Sequence, residues 1–473
     1  MADETAVRKY TLFVAVMASF LTPFMGSAVN LAIPSIGHQF SSSAILLSWV
    51  VTGFILASAA FLVPFGRLAD IVGRKKIFLT GITAFSLSSL LCGLAWSVES
   101  LILFRVLQGA GSAMIFGTGM AMVTSVYPPQ ERGKVLGLNV ATVYVGLSLG
   151  PVLGGFMNHN LGWQSIFYLS FVIGVIVVLF TILKLKGEWA GAGGEKYDLA
   201  GAALYSLGLL LIMYGISSVS SHVWAWYVLL AGLGVLALFV RYELGVGHPV
   251  LNMRLFTGNI TFAFSNLAAF INYSATFAVG FLLSLHLQVV KGYNSQEAGF
   301  VLLSQPVLMA LLSPIAGRLS DRVEPRVLSS WGMALTTVGL LFFCFLSGNT
   351  PLWLIIIVLA LLGTGFALFS SPNSNAVMGS VEKRFYGVAS STLGTMRLTG
   401  QAVSMAVVTM VIAMNVGNVE LKQADPYLLV KGARAAFVIF TVLCFCGIFA
   451  SLKRGNIIVA PGPGKPDSKG ESL

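Results

Sequence analysis

The chain predicts an all-α polytopic membrane protein: two six-helix bundles plus one extra transmembrane hairpin, fourteen spans in total. Three observations carry this. Of 473 residues, 56% are hydrophobic and only 10% charged, whereas a soluble globule carries about a quarter charged. Apolar runs of the ~20 residues needed to cross a bilayer recur fourteen times between charged or turn-rich breaks. A compact charged loop, Gly66-Arg67-Leu68-Ala69-Asp70-Ile71-Val72-Gly73-Arg74-Lys75-Lys76, also returns in part as Gly317-Arg318-Leu319-Ser320-Asp321-Arg322, 251 positions later. A loop repeated in matching hydropathy surroundings marks a duplicated membrane domain.

The spans fall at 10–33, 44–65, 77–96, 101–125, 135–157, 164–183 and 199–219, then 224–243, 259–285, 298–316, 327–347, 352–375, 387–414 and 432–452. Lysine and arginine set their orientation, because they accumulate in cytoplasmic loops. With both termini cytoplasmic, 22 of the 28 basic residues lie inside. Lys291, Lys422, Lys431 and Arg434 lie outside or at an outer edge, and Arg105 and Arg397 fall within spans. Both charged loops are then cytoplasmic, with eight spans between them where two six-span repeats need six. The surplus is the pair following a Gly-rich stretch. The expected organisation is a first bundle at 1–186, a flexible linker at 187–198, an extra hairpin at 199–243, a second bundle at 244–458 and a disordered tail at 459–473. A second correspondence, Gly133–Gly150 with Gly387–Ser404 at a spacing of 254, supports duplication; both stretches are rich in the small residues that close helix packing in a membrane uses.

Several function classes are excluded. The net charge of +11 is parcelled between apolar runs and forms no nucleic-acid-reading face. Cys92, Cys344, Cys444 and Cys446 lie inside apolar runs without the flanking ligands of a metal site, so they are small core residues. No Walker loop, hydrolase triad or metal cluster is present, which argues against an enzyme, an ATP-driven pump and a bound cofactor. The first apolar run is full-length and lacks a cleavage site, so no cleaved leader is expected.

Four groups of residues invite a functional reading. In the first loop, Gly66 and Gly73 allow a tight turn, and Asp70 stands near Arg67 and Arg74 in an ion network that can lock helix ends together in one state and release them in another; otherwise the cations are topological anchors. Gly317, Arg318 and Asp321 form its echo. Gly146, Gly150, Pro151, Gly154 and Gly155 make a Gly-Pro break at which a helix bends and a neighbour approaches closely. Arg105 and Arg397 are guanidinium groups inside spans, a functional signal by default. Arg105, close to the outer start of its span, either carries a functional charge or is a partly snorkelling anchor; Arg397 either faces a cavity and binds an anionic group or is satisfied by carbonyls or lipid. Asn30, Gln108, Asn139, Tyr144, Asn272, Tyr273, Asn373 and Gln401 are polar span residues that either line a cavity or bond between helices.

With those residues set out, the chain resembles the major facilitator superfamily, and within it the fourteen-span drug:proton antiporters. Gly66–Lys76 resembles the signature between spans two and three. Leu101-x-x-x-Arg105-x-x-Gln108-Gly109-x-Gly111 resembles the fourth-span motif, Gly146-x-x-x-Gly150-Pro151-x-x-Gly154-Gly155 the fifth-span motif of exporters, and Val29-Asn30-Leu31-Ala32-Ile33-Pro34 the end of the first-span motif. The resemblance implies the major facilitator fold, a site between the halves at mid-membrane, a bending fifth span at their interface and a proton-transfer role for Arg105. It also implies an aspartate in the first span, but aligned on Val29-Asn30 that position is Met25. All 17 acids lie in loops, tails or at span edges, so the usual buried proton carrier is missing.

The expected function is secondary active transport by alternating access. One form is multidrug or amphipathic-compound efflux driven by a proton gradient. The alternative is transport of organic anions or lipid-like acids without proton coupling, favoured by Met25, Arg105 and Arg397. A non-transporting receptor lacks the signalling domain it would need. The expected partners are a small-molecule substrate and the lipid bilayer of the cell membrane, with the chain acting as a monomer.

Overall fold

The computed structural model describes residues 2–185, 187–219, 222–251, 253, 256, 258–320, 322–381, 386–417, 419–421 and 423–455. Asp321 and the tail 459–473 therefore lie outside the described residues. Among them run fourteen long helical elements, one for each expected span. The first eight are α1 (Ala2–Phe40), α2 (Ala44–Val72), α3 (Arg74–Gly93), α4 (Val98–Val126), α5 (Pro129–Leu161), α6 (Gln164–Lys184), α7 (Leu199–Ser218) and α8 (Ala225–Glu243). The others are α9 (Ile260–Val290), α10 (Ser295–Ser320), α11 (Pro325–Phe343), α12 (Leu352–Gly379), α13 (Tyr386–Asn415) and α14 (Pro426–Lys453). Thirteen are long and apolar enough to cross a membrane. The remaining one, α5, has 33 residues, about 50 Å at 1.5 Å per residue, and is richer in glycine and asparagine.

The ends are set by local chemistry. Ser43, Ser97, Asp198, Asn259, Asn294 and Asp425 each accept a hydrogen bond from a first-turn amide of the helix they precede, satisfying donors that a helix start leaves orphaned. α9 is interrupted after Thr276 and ends in a π-turn at His286–Val290.

Packing repeats with an offset of eight helices. In the first half α1 packs on α5, α2 and α3 on α4, and α3 on α6; in the second, α9 packs on α13, α10 and α11 on α12, and α11 on α14. The close crossings repeat as well. A Cβ on Gly146 would lie 2.7 Å from the Phe20 carbonyl oxygen, and one on Gly400 would lie 2.6 Å from that of Phe270. Gly81 and Gly111 pack backbone to backbone, and so do Gly332 and Gly365. The halves meet along two equivalent seams, α2 with α13 and α5 with α10.

The surplus elements α7 and α8 pack on each other, and α7 lies on the first seam alone, against both α2 and α13. Tyr205 Oη donates to the Ala59 carbonyl (3.2 Å) and Ser206 Oγ to that of Ala60 (2.8 Å), both on α2. Tyr205 also stands beside Thr395 and Thr399 of α13. Among the described residues the hairpin thus packs on the α2–α13 seam and makes no comparable packing on α5–α10.

Candidate functional site

Three regions matter: the cytoplasmic loop, the outer contact between halves and the mid-membrane meeting point.

In the loop, Arg74 donates from Nε and Nη2 to Asp70 Oδ1 at 2.9 and 2.8 Å, one helix end to the next. Its Nη1 crosses to α4, donating to the Ala121 carbonyl (3.2 Å) and Ser125 Oγ (2.7 Å). The expected Asp70–Arg74 pair is present. Arg67 is not its third member, because its guanidinium pairs with Glu195 of the Gly-rich segment.

That segment, Gly187–Asp198, is seated on the loop rather than hanging free. The Arg74 amide donates to the Trp189 carbonyl (2.8 Å) and the Ala192 amide to the Asp70 carbonyl (2.9 Å). The Lys75 amide donates to Glu188 Oε1 (2.7 Å). Glycine is needed on both sides. Gly73 has φ +125, and a Cβ there would come within 2.5 Å of the Glu188 carboxyl carbon, while one on Gly191 would lie 3.1 Å from the Arg74 guanidinium. Glu195 also meets His248 Nδ1 at 2.9 Å, so one carboxylate links the α2 end to the segment leading into α9. The Arg67 hydrogen bond, its largest influence, holds the Glu195 carboxyl below the usual range.

The echo is built differently. Arg318 is exposed. Asn375 of α12 donates to Ser320, and a Cβ on Gly317 would meet Ser371 Oγ at 2.8 Å, so this loop is held by small polar contacts with α12.

The outer contact joins the halves through a row of hydrogen bonds. Ser48 and Thr409 share one (2.8 Å), Ser284 donates to the Asn30 carbonyl (2.6 Å), Gln288 to that of Leu31 (3.2 Å) and Ser295 to that of Gly155 (3.1 Å). The Leu421 amide donates to the Ser42 carbonyl (3.0 Å). The Gly-Pro motif occupies the centre of this contact. A Cβ on Gly150 or Gly154 would strike Ser27 or Ala28 of α1, one on Gly155 would lie 2.4 Å from the Ser295 carbonyl oxygen, and one on Gly299 would lie 2.2 Å from that of Pro151. The motif therefore lets α5 approach α1 on one face and α10 on another.

Arg105 is fully buried and does not snorkel. Its Nε donates to the Val50 carbonyl (3.0 Å), Nη1 to Gln108, which in turn donates to Ser89 (2.6 Å). The guanidinium sits 4.2 Å from the Phe54 ring centroid. These ties draw α2, α3 and α4 together around a cation paired with no carboxylate among the described residues. Arg454 is a second case that charge counting missed. It reads as a cytoplasmic anchor, yet it is buried and donates to Asn373 Oδ1 (2.8 Å) and the Ser451 carbonyl (2.8 Å). No sequence signal separates it from its neighbour Lys453.

Several cavity candidates are committed elsewhere. Met25 is buried and its sulfur accepts from Ser170 of α6 (2.7 Å); Asn139 accepts from Ser19 of α1 (2.7 Å); Asn373 is held by Arg454. Asn30 is engaged at its carbonyl, with its side-chain oxygen unpartnered, and Asn272 is buried with neither amide atom bonded. Gln401 is half-buried.

Tyr144, Tyr273 and Arg397 converge. Tyr144 of α5, Met309 of α10 and Phe366 of α12 form a buried apolar cluster against which Tyr273 of α9 packs. The Tyr273 and Phe366 rings meet edge to face at 5.3 Å. Arg397 lies over Tyr273, 5.6 Å from its centroid, and donates to Ser374 Oγ (2.8 Å). The residues share a depth: Arg397 comes 11 positions after α13 starts at Tyr386, and Phe366 lies 13 positions before α12 ends at Gly379. At 1.5 Å per residue both stand about 17–20 Å from the cytoplasmic ends. Tyr144 belongs to the first half and the others to the second, so the cluster sits where the halves meet.

The Major Facilitator Superfamily profile matches residues 15–242 and 266–471. The chain belongs to this superfamily. It is 28% identical over 441 residues to the riboflavin transporter RibZ of Clostridioides difficile, covering 93% of this chain and 96% of that one. It is 31% identical over 434 residues to the cephamycin export protein CmcT of Amycolatopsis lactamdurans, covering 90% and 89%. The fold matches a bacterial homolog of the human lysosomal transporter Spinster at a TM-score of 0.68, with 17% identity over 97% of this chain and 99% of that one. This major facilitator protein is thus a multi-pass membrane transporter and not an enzyme, with a small-molecule substrate.

Proposed function

We propose that the protein exports amphipathic, aromatic-bearing compounds across the cell membrane, working as a monomer by alternating access. The observation carrying this is the aromatic and methionine cluster of Tyr144, Tyr273, Phe366 and Met309 at mid-membrane between the halves. Aromatic and thioether side chains adapt to varied apolar ligands, and sites of such transporters lie where the repeats meet. The outer contact through Asn30, Gly155, Ser284 and Ser295 is the closed gate of one state. The loop containing Asp70, Arg74 and Glu195 keeps the cytoplasmic ends of the first half together in this same state. Gly317 and Arg318 are the corresponding loop of the second half, the two being the surfaces that would meet when the cytoplasmic side closes. The two bundles rock as units, the hairpin riding on the α2–α13 seam. Relatives named for multidrug resistance and antibiotic export support efflux as the direction.

Proton coupling is implied by the resemblance to the antiporters, although each acid on a described helix sits within four residues of a helix end. Purified protein in liposomes loaded with a planar aromatic dye decides both points. Dye flux that needs the protein supports the transport reading, and acceleration by an imposed pH gradient supports coupling. Absence of flux for neutral, cationic and anionic dyes alike refutes export of such compounds, and flux indifferent to the gradient refutes coupling.

A further inference from the structure

We infer that the mid-membrane cluster is a subsite for a planar aromatic ligand bearing an anionic group, with Arg397 as the residue that selects the charge. This rests on the transport reading above and names its substrate class.

The two intramembrane guanidinium groups differ in what they can reach. Arg105 is fully buried and enclosed by a carbonyl, Gln108 and the Phe54 face, with Nη2 unpartnered but out of reach of any ligand. Arg397 is half-buried, and its polar contact among the described residues is to the neutral hydroxyl of Ser374. Its Nε is buried and has no partner. Beside it stands the Tyr273 ring, itself packed with Tyr144 and Phe366, and none of these carries negative charge. A cation this deep is costly unless an anion accompanies it. Here no carboxylate of the described helices is deep enough to serve, since all lie near helix ends. The unpartnered Nε–H, together with Nη2, whose present partner is only the Ser374 hydroxyl, makes the planar fork that matches carboxylate or phosphate oxygens side by side once a side-chain shift uncovers it. The same guanidinium lies over the Tyr273 ring, so an aromatic body set beside Tyr273 and Phe366 would place its acidic substituent at the fork. Ring stacking and ion pairing then act on one molecule.

Binding of fluorescein to detergent-purified full-length protein, followed by anisotropy, tests this without requiring transport. Rhodamine 6G, planar and cationic, is the comparison. The expected result is that the wild type binds fluorescein, that Arg397→Gln weakens it tenfold or more, and that Arg397→Lys falls between because it keeps charge but loses the fork. Rhodamine binding should be unchanged or stronger in Arg397→Gln. Fluorescein binding equal in wild type and Arg397→Gln, or none by the wild type, overturns the proposal even if dyes are transported. Loss of both dyes in Arg397→Gln, with the melting temperature retained, also overturns it, since the residue would then shape the pocket without selecting charge. If Arg397→Gln does not fold, Ser374→Ala and Tyr273→Phe provide the second arm. The first should weaken fluorescein alone by loosening the guanidinium, and the second should leave stacking intact; equal effects on both dyes from Ser374→Ala overturn the assignment. If fluorescein binds as expected but no dye crosses the membrane, the export reading falls and the anion subsite stands.

Discussion

Gly155→Ala should push the transporter out of the outward-closed state while leaving it folded. The Gly155 Cα faces the start of α10, where an added Cβ would stand 2.4 Å from the Ser295 carbonyl oxygen and 3.2 Å from the Gln296 Cα. Ordinary van der Waals contact requires about 1 Å more, and the obstacle is backbone, which cannot rotate away. The halves must part locally or bend. Overpacking of this kind costs about 1–3 kcal/mol. On the proposed alternating-access cycle the contact exists only when the outer gate is closed, so the cost falls on one conformation and the ratio of closed to open molecules should drop by about 5- to 150-fold. A buried misfit inside one bundle would instead lower stability in every state.

The assay is pulsed electron paramagnetic resonance between spin labels on Asn160 and Gln423. These exposed outer residues lie on opposite halves, and the four native cysteines would be replaced. Gly155→Ala should add a longer-distance population and reduce net dye transport, with the melting temperature close to that of the parent. Distance distributions identical to the parent's, with normal transport, would show that α5 and α10 do not separate at this point and would refute the gate assigned to the Gly-Pro motif. A lowered melting temperature without a new distance population would place Gly155 in the static core.

Three further outcomes are expected. Asp70→Asn breaks the pairing that aims Arg74 at Ala121 and Ser125, so transport should fall tenfold or more while membrane insertion and yield stay unchanged; an equal fall in yield would make the residue a folding determinant. Glu195→Gln should free Arg67 and His248 and speed amide exchange across 187–198. Because Arg67 holds the Glu195 carboxyl below its usual range, docking in the wild type should be complete at neutral pH and above the unfolded carboxyl's value, and lost only as pH falls through the lowered one. Exchange that does not respond to acid would detach Glu195 from the docking. Arg105→Lys keeps the charge but cannot serve the Val50 carbonyl, Gln108 and the Phe54 face together, so it should melt lower and transport less; full activity at wild-type stability would mean that bare charge suffices there.

Topology was legible in the sequence because it depends on quantities a sequence carries directly: run length, Lys/Arg placement and the repeated loop. Each of the fourteen expected spans coincides with one helix, and the eight-span interval between loops locates the hairpin. Pairings between distant residues were less legible. Asp70 and Arg74, four apart, were readable as helix neighbours; the Arg67–Glu195 pair is separated by 128 positions and has no periodicity to betray it. Glycine-rich composition suggested a loose tether at 187–198. There the small residues are what allow close seating, since Gly191 lies against the Arg74 guanidinium. Arg105 and Arg454 were both read from position along the chain, and position along a helix does not say which side faces a neighbour. A glycine echo, Gly81 with Gly111 and Gly332 with Gly365, marks the same crossing in each half and is visible in the sequence at a spacing near that of the repeated loops.

The hairpin and the Gly-rich segment belong to one insertion, and their contacts explain how a two-fold machine can accept it. The two seams between halves are equivalent by symmetry, so anything fastened to both would lock them. The insertion touches one. Its helix α7 bonds to α2 through Tyr205 and Ser206, using α2 carbonyls at Ala59 and Ala60, and meets α13 at threonine hydroxyls. Carbonyls and hydroxyls exchange partners at low cost compared with buried ion pairs, whose breaking leaves a stranded charge. The charged contacts of the insertion, Glu188 and Glu195, lie at the cytoplasmic surface, where water solvates whatever they release. Under the proposed rocking of the halves, an inserted element built this way would follow the α2–α13 seam and keep its strong ties where they can be broken. On that reading its polar contacts with α2 and α13 load one seam with bonds that can be exchanged and leave the α5–α10 seam to move on its own.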